Sequence, residues 1–132
     1  MRRLSVFVVG MMAAILTLSA CGGGGPLAVD NATLSATQGG TSTTTFSPSD
    51  HTIYAGIDLN HLEPGLTAKV VWTAVDTTAG KDLQIAEKDF SSLVANRIDA
   101  SVELPRDWPK GSYKLDIYLS GTLAKTVDFT VQ

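Results

Sequence analysis

Apolar and polar residues alternate along most of the chain after residue 50, with a period of two. In a β-strand successive side chains point to opposite faces, so this alternation is typical of strands that are buried on one side. It recurs in five segments, residues 53–59, 68–74, 98–104, 113–119 and 127–131. In the last of them Val127, Phe129 and Val131 share one face. The pattern therefore predicts five half-buried strands.

Turn-forming residues separate these segments. Pro, Gly and polar residues cluster at residues 63–65, 78–81 and 105–111, and Ser120-Gly121 predicts a tight hairpin turn between the last two strands. Two weaker segments, 43–46 and 82–88, bring the predicted number of strands to about seven. Residues 90–96 fit either a helical turn or coil. Seven short strands within residues 46–132 predict an all-β fold, a single antiparallel β-sandwich.

Two aromatic residues in this strand pattern carry a resemblance to a known architecture. Trp72 lies on the third predicted strand, and Tyr113 follows Gly111 at the start of the sixth. These positions resemble the core tryptophan and the tyrosine corner of the immunoglobulin-like sandwich. The inter-sheet cysteines of antibody domains are missing, so the fibronectin-like and bacterial immunoglobulin-like relatives are the nearer comparison. The resemblance implies that the Tyr113 hydroxyl bonds a nearby backbone group, and it implies no particular function.

The first 21 residues differ from the rest of the chain. Arg2 and Arg3 precede an apolar run, residues 4–18, which is too short to cross a bilayer as a helix of about 20 residues. The run ends in Leu18-Ser19-Ala20-Cys21, which contains the only cysteine. A basic start, an apolar core and a small residue before the processing point are typical of a secretory signal. The segment resembles a bacterial lipoprotein signal, and its last four residues resemble a lipobox.

This resemblance implies that residues 1–20 are removed and that Cys21 becomes an acylated N-terminus. Attachment to a membrane would then depend on acyl chains such as palmitate, of which more than one is needed for lasting binding. Gly22 stands where an aspartate would resemble an inner-membrane retention signal, so in a double-membraned bacterium the outer membrane is favoured. An ordinary cleaved signal is the alternative, but it leaves an unpaired thiol in an oxidising compartment.

The segment after the cysteine is rich in Gly, Ser and Thr and nearly free of aromatic residues. Such a composition buries little apolar surface, so we expect residues 21–45 to form a lipidated, flexible tether. About 20 residues of Gly-rich coil span roughly 25 Å on average. The sequence thus predicts three parts: a signal at residues 1–20, a tether at 21–45 and a sandwich at 46–132.

The charge balance restricts the partners. Residues 21–132 contain 8 Lys and Arg against 13 Asp and Glu, which gives a formal net charge of −5. An acidic chain without a basic cluster lacks the positive surface that a phosphate backbone requires, so a nucleic-acid partner is not expected. Anionic lipid headgroups would not attract it either.

The polar residues do not form a catalytic or metal-binding pattern. The two histidines, His51 and His61, are expected to be solvated turn residues and not catalytic groups. Asp58, Asn60 and Glu63 lie close to His61, but no glycine is placed as a calcium loop requires. We therefore expect no enzyme activity, no metal and no cofactor.

One sheet face is the candidate partner-binding surface. In an immunoglobulin-like order, the outer side of the sheet with the third, sixth and seventh strands would carry an apolar centre with a rim of mixed charge, as at many protein interfaces. Its residues are Val71, Val75 and Tyr118 in the centre and Lys69, Lys114 and Asp116 around them, with Thr126 and Asp128 nearby. The alternative is that these are ordinary scattered surface residues. Exposed sheet edges would also suit a partner strand.

Trp108 is the candidate ligand residue. It precedes Pro109 in a predicted turn. Its ring either caps one end of the core or contacts a sugar or another small ligand. Tyr54 and Tyr118 are expected on opposite sides of the sandwich, so they would not join it. The preferred hypothesis is a non-enzymatic envelope lipoprotein that binds another envelope protein. The alternatives are a small-ligand or carbohydrate-binding module and, behind it, an envelope enzyme.

Overall fold

A computed structural model describes residues 25–132, so the predicted signal and Cys21 lie outside the described residues. The described part contains eight strands and no helix. They are β1 (Val29–Ser35), β2 (Thr45–Phe46), β3 (Thr52–Leu59), β4 (Ala68–Thr77), β5 (Gly80–Phe90), β6 (Arg97–Glu103), β7 (Gly111–Leu119) and β8 (Thr122–Val131). Within residues 25–132, no helix is long and apolar enough to cross a membrane.

The strands form two sheets. The three-stranded sheet has the order β1-β3-β6, and the five-stranded sheet has the order β2-β8-β7-β4-β5. Neighbouring strands are antiparallel, except that β2 runs parallel to β8. The all-β sandwich fold is therefore confirmed. Ser120 and Gly121 form the turn between β7 and β8, in which Leu119 pairs with Thr122, so the predicted hairpin is also confirmed.

Strand β1 corrects the predicted tether. The strand pairs with β3 from Val29 opposite Leu59 to Ser35 opposite Tyr54, and Leu34 is buried in the core. Residues 29–35 are thus part of the sandwich and not flexible coil, because β3 offers them a hydrogen-bonding edge that the local composition does not reveal. The sandwich begins at Val29 instead of residue 46, and it has eight strands instead of seven.

The core is built from the inward positions of the alternating segments. Trp72 and Tyr113 are buried, and both pack on Phe129, with ring centroids 6.0 Å and 5.3 Å away. The Tyr113 hydroxyl donates a hydrogen bond to the Pro109 carbonyl oxygen, as the tyrosine corner predicts. Residues 91–96 form coil without a helical turn.

Candidate functional site

The predicted partner-binding face lies on the outer side of the five-stranded sheet. Lys69 on β4 pairs with Tyr118 on β7, and the next outward pair is Val71 with Asp116. All of these side chains point away from the core because the inward positions of both strands alternate with them. The structure thus brings Lys69, Val71 and Tyr118 together on one face, with Asp116 beside them.

A depression of about 670 Å³ covers one end of this face. Lys69, Val71 and Tyr118 line it, and β5 adds Glu87 and Asp89. The two acidic residues were not predicted, because their position depends on the register of β5, in which Asp89 pairs with Lys69 and Glu87 with Val71. The weak segment 82–88 is the sequence signal that could have indicated Glu87, whereas Asp89 lies just beyond it. We call these five residues the outer-face depression.

One pair of opposite charges lies within the outer-face depression. The Lys69 ammonium lies 3.1 Å from a Glu87 carboxylate oxygen. The hydrogen bond and charge of Glu87, together with the charge of Asp89, raise the pKa of Lys69 above its ordinary value. Lys69 therefore stays protonated, and the Glu87–Asp89 side of the depression keeps an excess of one negative charge. Chemically the depression is an apolar centre with an acidic edge.

Asp116 is held in place by its neighbours. It is only 7% exposed, and its carboxylate accepts a hydrogen bond from the Thr126 hydroxyl at 2.6 Å. The Lys114 ammonium lies 3.4 Å from the other carboxylate oxygen. These three residues satisfy one another, and Asp116 lies opposite Val71 in the pairing of β4 with β7.

Val75 is separated from the rest of the predicted face. A register shift between Ala74 and Asp76 interrupts the pairing of β4 with β7 at this position. Val75 consequently lines a different depression, of about 310 Å³, together with Ser112 and Asp128. Val75 alternates with the buried Ala74 and so lies on the outer side of the sheet with Val71, but the bulge sets it apart from the outer-face depression.

Of the two alternatives for Trp108, the structure shows the core cap and not the ligand-contacting ring. The residue is 1% exposed, and its indole N–H donates a hydrogen bond of 3.1 Å to the His51 carbonyl oxygen. Its ring packs edge-on against Tyr113, with centroids 5.4 Å apart. The indole caps one end of the core, so no face of it is available for stacking on a ligand.

The histidines are each paired with one carboxylate. His51 Nε2 lies 2.8 Å from Asp107, and His61 Nε2 lies 2.9 Å from Glu63. Asp58, which the sequence places near His61, pairs instead with Arg97 at 2.8 Å. Within residues 25–132, no group of three His, Cys, Asp or Glu side chains is arranged to hold a metal ion.

A second, polar depression lies on the outer side of the three-stranded sheet. It measures about 360 Å³ and contains Tyr54, Gly56 and Arg97. The Arg97 guanidinium lies over Gly56, where a Cβ atom would overlap it. Hydrogen bonds to Asp58 and the nearby charge of Asp99 raise the pKa of Arg97. Tyr54 and Tyr118 thus occupy different sheets, as predicted.

No protein family and no curated protein matches this sequence. Several solved structures are similar in fold, among them the following two. An immunoglobulin-like protein from Pseudomonas aeruginosa matches with a TM-score of 0.51 and 15% identity over 83% of this chain and 94% of that protein. The alkylpurine DNA glycosylase AlkC of Pseudomonas fluorescens, in a structure bound to DNA containing an abasic site analog, matches with a TM-score of 0.53 and 14% identity over 80% of this chain. The match spans 30% of the glycosylase chain. At such low identities the likeness shows the fold alone: the chain is an immunoglobulin-like β-sandwich.

Proposed function

We propose that this protein is a lipid-anchored protein of the bacterial cell envelope, and that its sandwich binds another envelope protein without catalysing a reaction. The observation that carries the binding role is the outer-face depression. It combines a tyrosine and a valine with a paired lysine and two carboxylates on rigid strands. Protein interfaces commonly have such an apolar centre, in which tyrosine is enriched, within a polar rim.

The chemistry of the depression favours binding over catalysis. Its only cation, Lys69, is held protonated by Glu87, so it is not a base. A hydrolytic site needs a nucleophile and a base within hydrogen-bond reach of each other, and the five residues of the depression contain no such pair. The acidic edge formed with Asp89 favours a partner that presents lysine or arginine beside an apolar side chain.

The lipid anchor rests on the sequence. Cys21 follows an apolar run and a small residue, and acyl chains on it would hold an acidic domain at a membrane that its charge does not attract. Gly22 at the next position favours the outer membrane. A carbohydrate-binding role depended on an exposed ring of Trp108, and that ring is buried.

The binding role is tested with the double variant Val71→Thr/Tyr118→Thr. Threonine keeps the strand propensity and removes the apolar contact area, so the fold should be retained. The partner is identified by cross-linking the membrane-extracted protein and by mass spectrometry. We expect the double variant to lose most of the cross-linked partner, and the matched control Tyr54→Thr, on the opposite sheet, to keep it. Equal recovery with both variants would show that the outer-face depression does not bind the partner.

The anchor is tested by the intact mass of the same preparation. A chain that begins at an acylated Cys21 is the expected result, and Cys21→Ser should release the protein from the membrane fraction. A chain that retains residues 1–20 without acyl groups would contradict the anchor.

A further inference from the structure

The two sheets of the sandwich differ in width. Because β1 contacts β8, the order of the strands places β3 over β7 and β6 over β4. This leaves β5, the last strand of the five-stranded sheet, without a strand opposite it. On the other side of the core, the three-stranded sheet ends at β6. A fourth strand beside β6 would therefore lie over β5.

The side chains on the inner side of β5 are only partly covered by the opposite sheet. The inward residues of β4, from Ala68 to Ala74, are almost fully buried. On β5, by contrast, Leu83 is 45% exposed, Ile85 and Phe90 are only half-buried, and the Lys88 ammonium lies 5.5 Å from the centre of the Phe90 ring. Leu83 and Ile85 line a mainly apolar groove of about 270 Å³ with Leu104, the residue after β6. Apolar surface thus faces the place where a fourth strand would lie.

Among residues 25–132, no backbone group pairs with β6 on the same side. The amide of Leu104 bonds the His51 carbonyl, and the amide of Leu59 bonds the Asn96 carbonyl. Because hydrogen-bonded pairs alternate along antiparallel strands, the even-numbered residues of β6 bond β3. The odd-numbered residues, which are Arg97, Asp99, Ser101 and Glu103, therefore direct their N–H and C=O groups to the open edge.

The edge of β6 lacks the features that block strand addition at the other three edges. β1 has a register shift after Val29, and β2 is two residues long. β5 has a register shift, a positive φ at Asp82 and the inward-pointing Lys88. Bulges, short strands and inward charges all protect edges from pairing with another chain. β6 has seven residues in regular register with β3, and its pairing shows no such interruption.

We propose that an extended segment of a partner protein adds to β6 as a fourth strand and packs its inward side chains on Leu83, Ile85 and Phe90. Main-chain hydrogen bonds give the affinity in this mode of recognition, and alternate side chains give the specificity. Asp99 and Glu103 are exposed on the outer side of β6, so the outward residues opposite them are lysine or arginine. The site is distinct from the outer-face depression.

A single strand fits this position better than a second copy of the domain. Two copies joined through β6 would form one continuous sheet, and the five-stranded sheets of both copies would lie on the same side of it. The protruding β5 of each copy would then meet β4 of the other. An extended segment brings no second sheet, so it covers β5 without this collision.

The test uses a synthetic peptide complementary to β6, Lys-Val-Thr-Val-Lys-Val-Glu. In antiparallel register its two lysines lie opposite Glu103 and Asp99, its threonine opposite Ser101 and its glutamate opposite Arg97. At about 1 mM peptide, we expect hydrogen exchange at the four odd-numbered amides of β6 to slow more than about tenfold, as measured by NMR. The even-numbered amides, already bonded to β3, should change little.

The control variants separate backbone pairing from nonspecific contact. Ser101→Pro removes one edge N–H without removing a bond to β3, a change that edge strands tolerate, and it should abolish peptide binding. Ser101→Thr should bind as the parent does. Glu103→Lys should weaken binding by up to about fivefold, and a peptide with glutamate as its first residue should restore it. The same peptide methylated on the nitrogens of its threonine and second lysine should not bind.

Several outcomes would overturn the proposal. One is that Ser101→Pro binds the peptide as tightly as the parent protein does. Another is that the peptide slows hydrogen exchange at amides outside β6 and β5. The third is that no binding is detected at about 1 mM peptide. Concentration-dependent dimers that Ser101→Pro abolishes would assign the position to a second copy instead. The double variant Val71→Thr/Tyr118→Thr should bind the peptide normally, so a failure of the partner-binding role at the outer face is distinguished from a failure here.

Discussion

The hydroxyl of Tyr113 connects the start of β7 to the turn that precedes it. It donates to the Pro109 carbonyl, while its ring stacks on Phe129 and meets the buried indole of Trp108. Tyr113→Phe keeps the ring contacts and removes one buried hydrogen bond. We expect the free energy of unfolding to fall by about 1 kcal/mol in urea denaturation. Tyr118→Phe, on the solvent-facing side of the same strand, is the matched control and should change it little.

Burial of Tyr113 also makes stability depend on alkaline pH. Burial disfavours the phenolate, so the pKa of Tyr113 in the folded protein lies above its ordinary value of about 10. The unfolded chain therefore loses this proton first as the pH rises. The stabilisation is complete below pH of about 10 and is lost progressively above it. In denaturation series across this range, Tyr113→Phe should lose less stability than the parent; an equal loss would contradict the assignment.

Single residues also show where sequence reasoning succeeds. Trp72 and Tyr113 were identified from their positions in the strand pattern, because large aromatic side chains at inward positions define a sandwich core. A turn residue such as Trp108 has no alternation to assign its side, so the sequence alone allows either a buried or an exposed ring. Only the three-dimensional position of His51, whose carbonyl accepts the indole N–H, decides that Trp108 is buried.

At the scale of elements, the central strands are predictable and the peripheral ones are not. β3, β4, β6 and β7 alternate regularly because each is buried on one face. β1 carries Asp30, Asn31 and Thr33 and owes its structure to the edge of β3, whose paired residues lie 19 to 30 positions further along the chain. The bulges in β4 and β5 similarly follow from pairing and leave no local signal. The fold class thus follows from the pattern, whereas the N-terminal boundary does not.

The inclusion of β1 in the sandwich predicts a large effect of Leu34→Ala. Leu34 is 2% exposed and lies in the core, so truncation leaves a cavity. We expect the free energy of unfolding to fall by about 3 kcal/mol in urea denaturation. Val94→Ala, at a residue that is 97% exposed, is the control and should have little effect. Equal stability of the two variants would show that residues 29–35 do not pack in the sandwich and belong to the tether.

Gly111, at the start of β7, allows β7 to approach the end of β4. Its φ is 147°, and a Cβ atom there would overlap the Asp76 carbonyl oxygen. Gly121, with a φ of 84°, has no atom within 4 Å of a Cβ position. Gly121→Ala should cost about 1–2 kcal/mol from backbone strain alone. Gly111→Ala should cost more, because steric overlap adds to the strain, and thermal unfolding of the two variants measures the difference.

For the whole molecule, the candidate face was predictable in part. Lys69, Val71 and Tyr118 share a face because strand alternation and an immunoglobulin-like order place them there. Glu87 and Asp89 complete the depression only through the register of β5, and Val75 leaves it through a bulge. The open position beside β6 depends on the unequal widths of the sheets. Such properties arise from the assembly of strands and cannot be derived from one strand.

The early start of β1 limits how far the domain reaches from a lipid anchor. Between Cys21 and Val29 there are eight residue steps, which span at most about 28 Å. If Cys21 carries acyl chains, the end of the sandwich at Val29 and Asn60 stays close to the bilayer, and the two proposed binding surfaces lie on the sheets that extend from this end. Such a short connection leaves little freedom to search the space above the membrane. It favours partners that are held at the same membrane and meet the domain from the side.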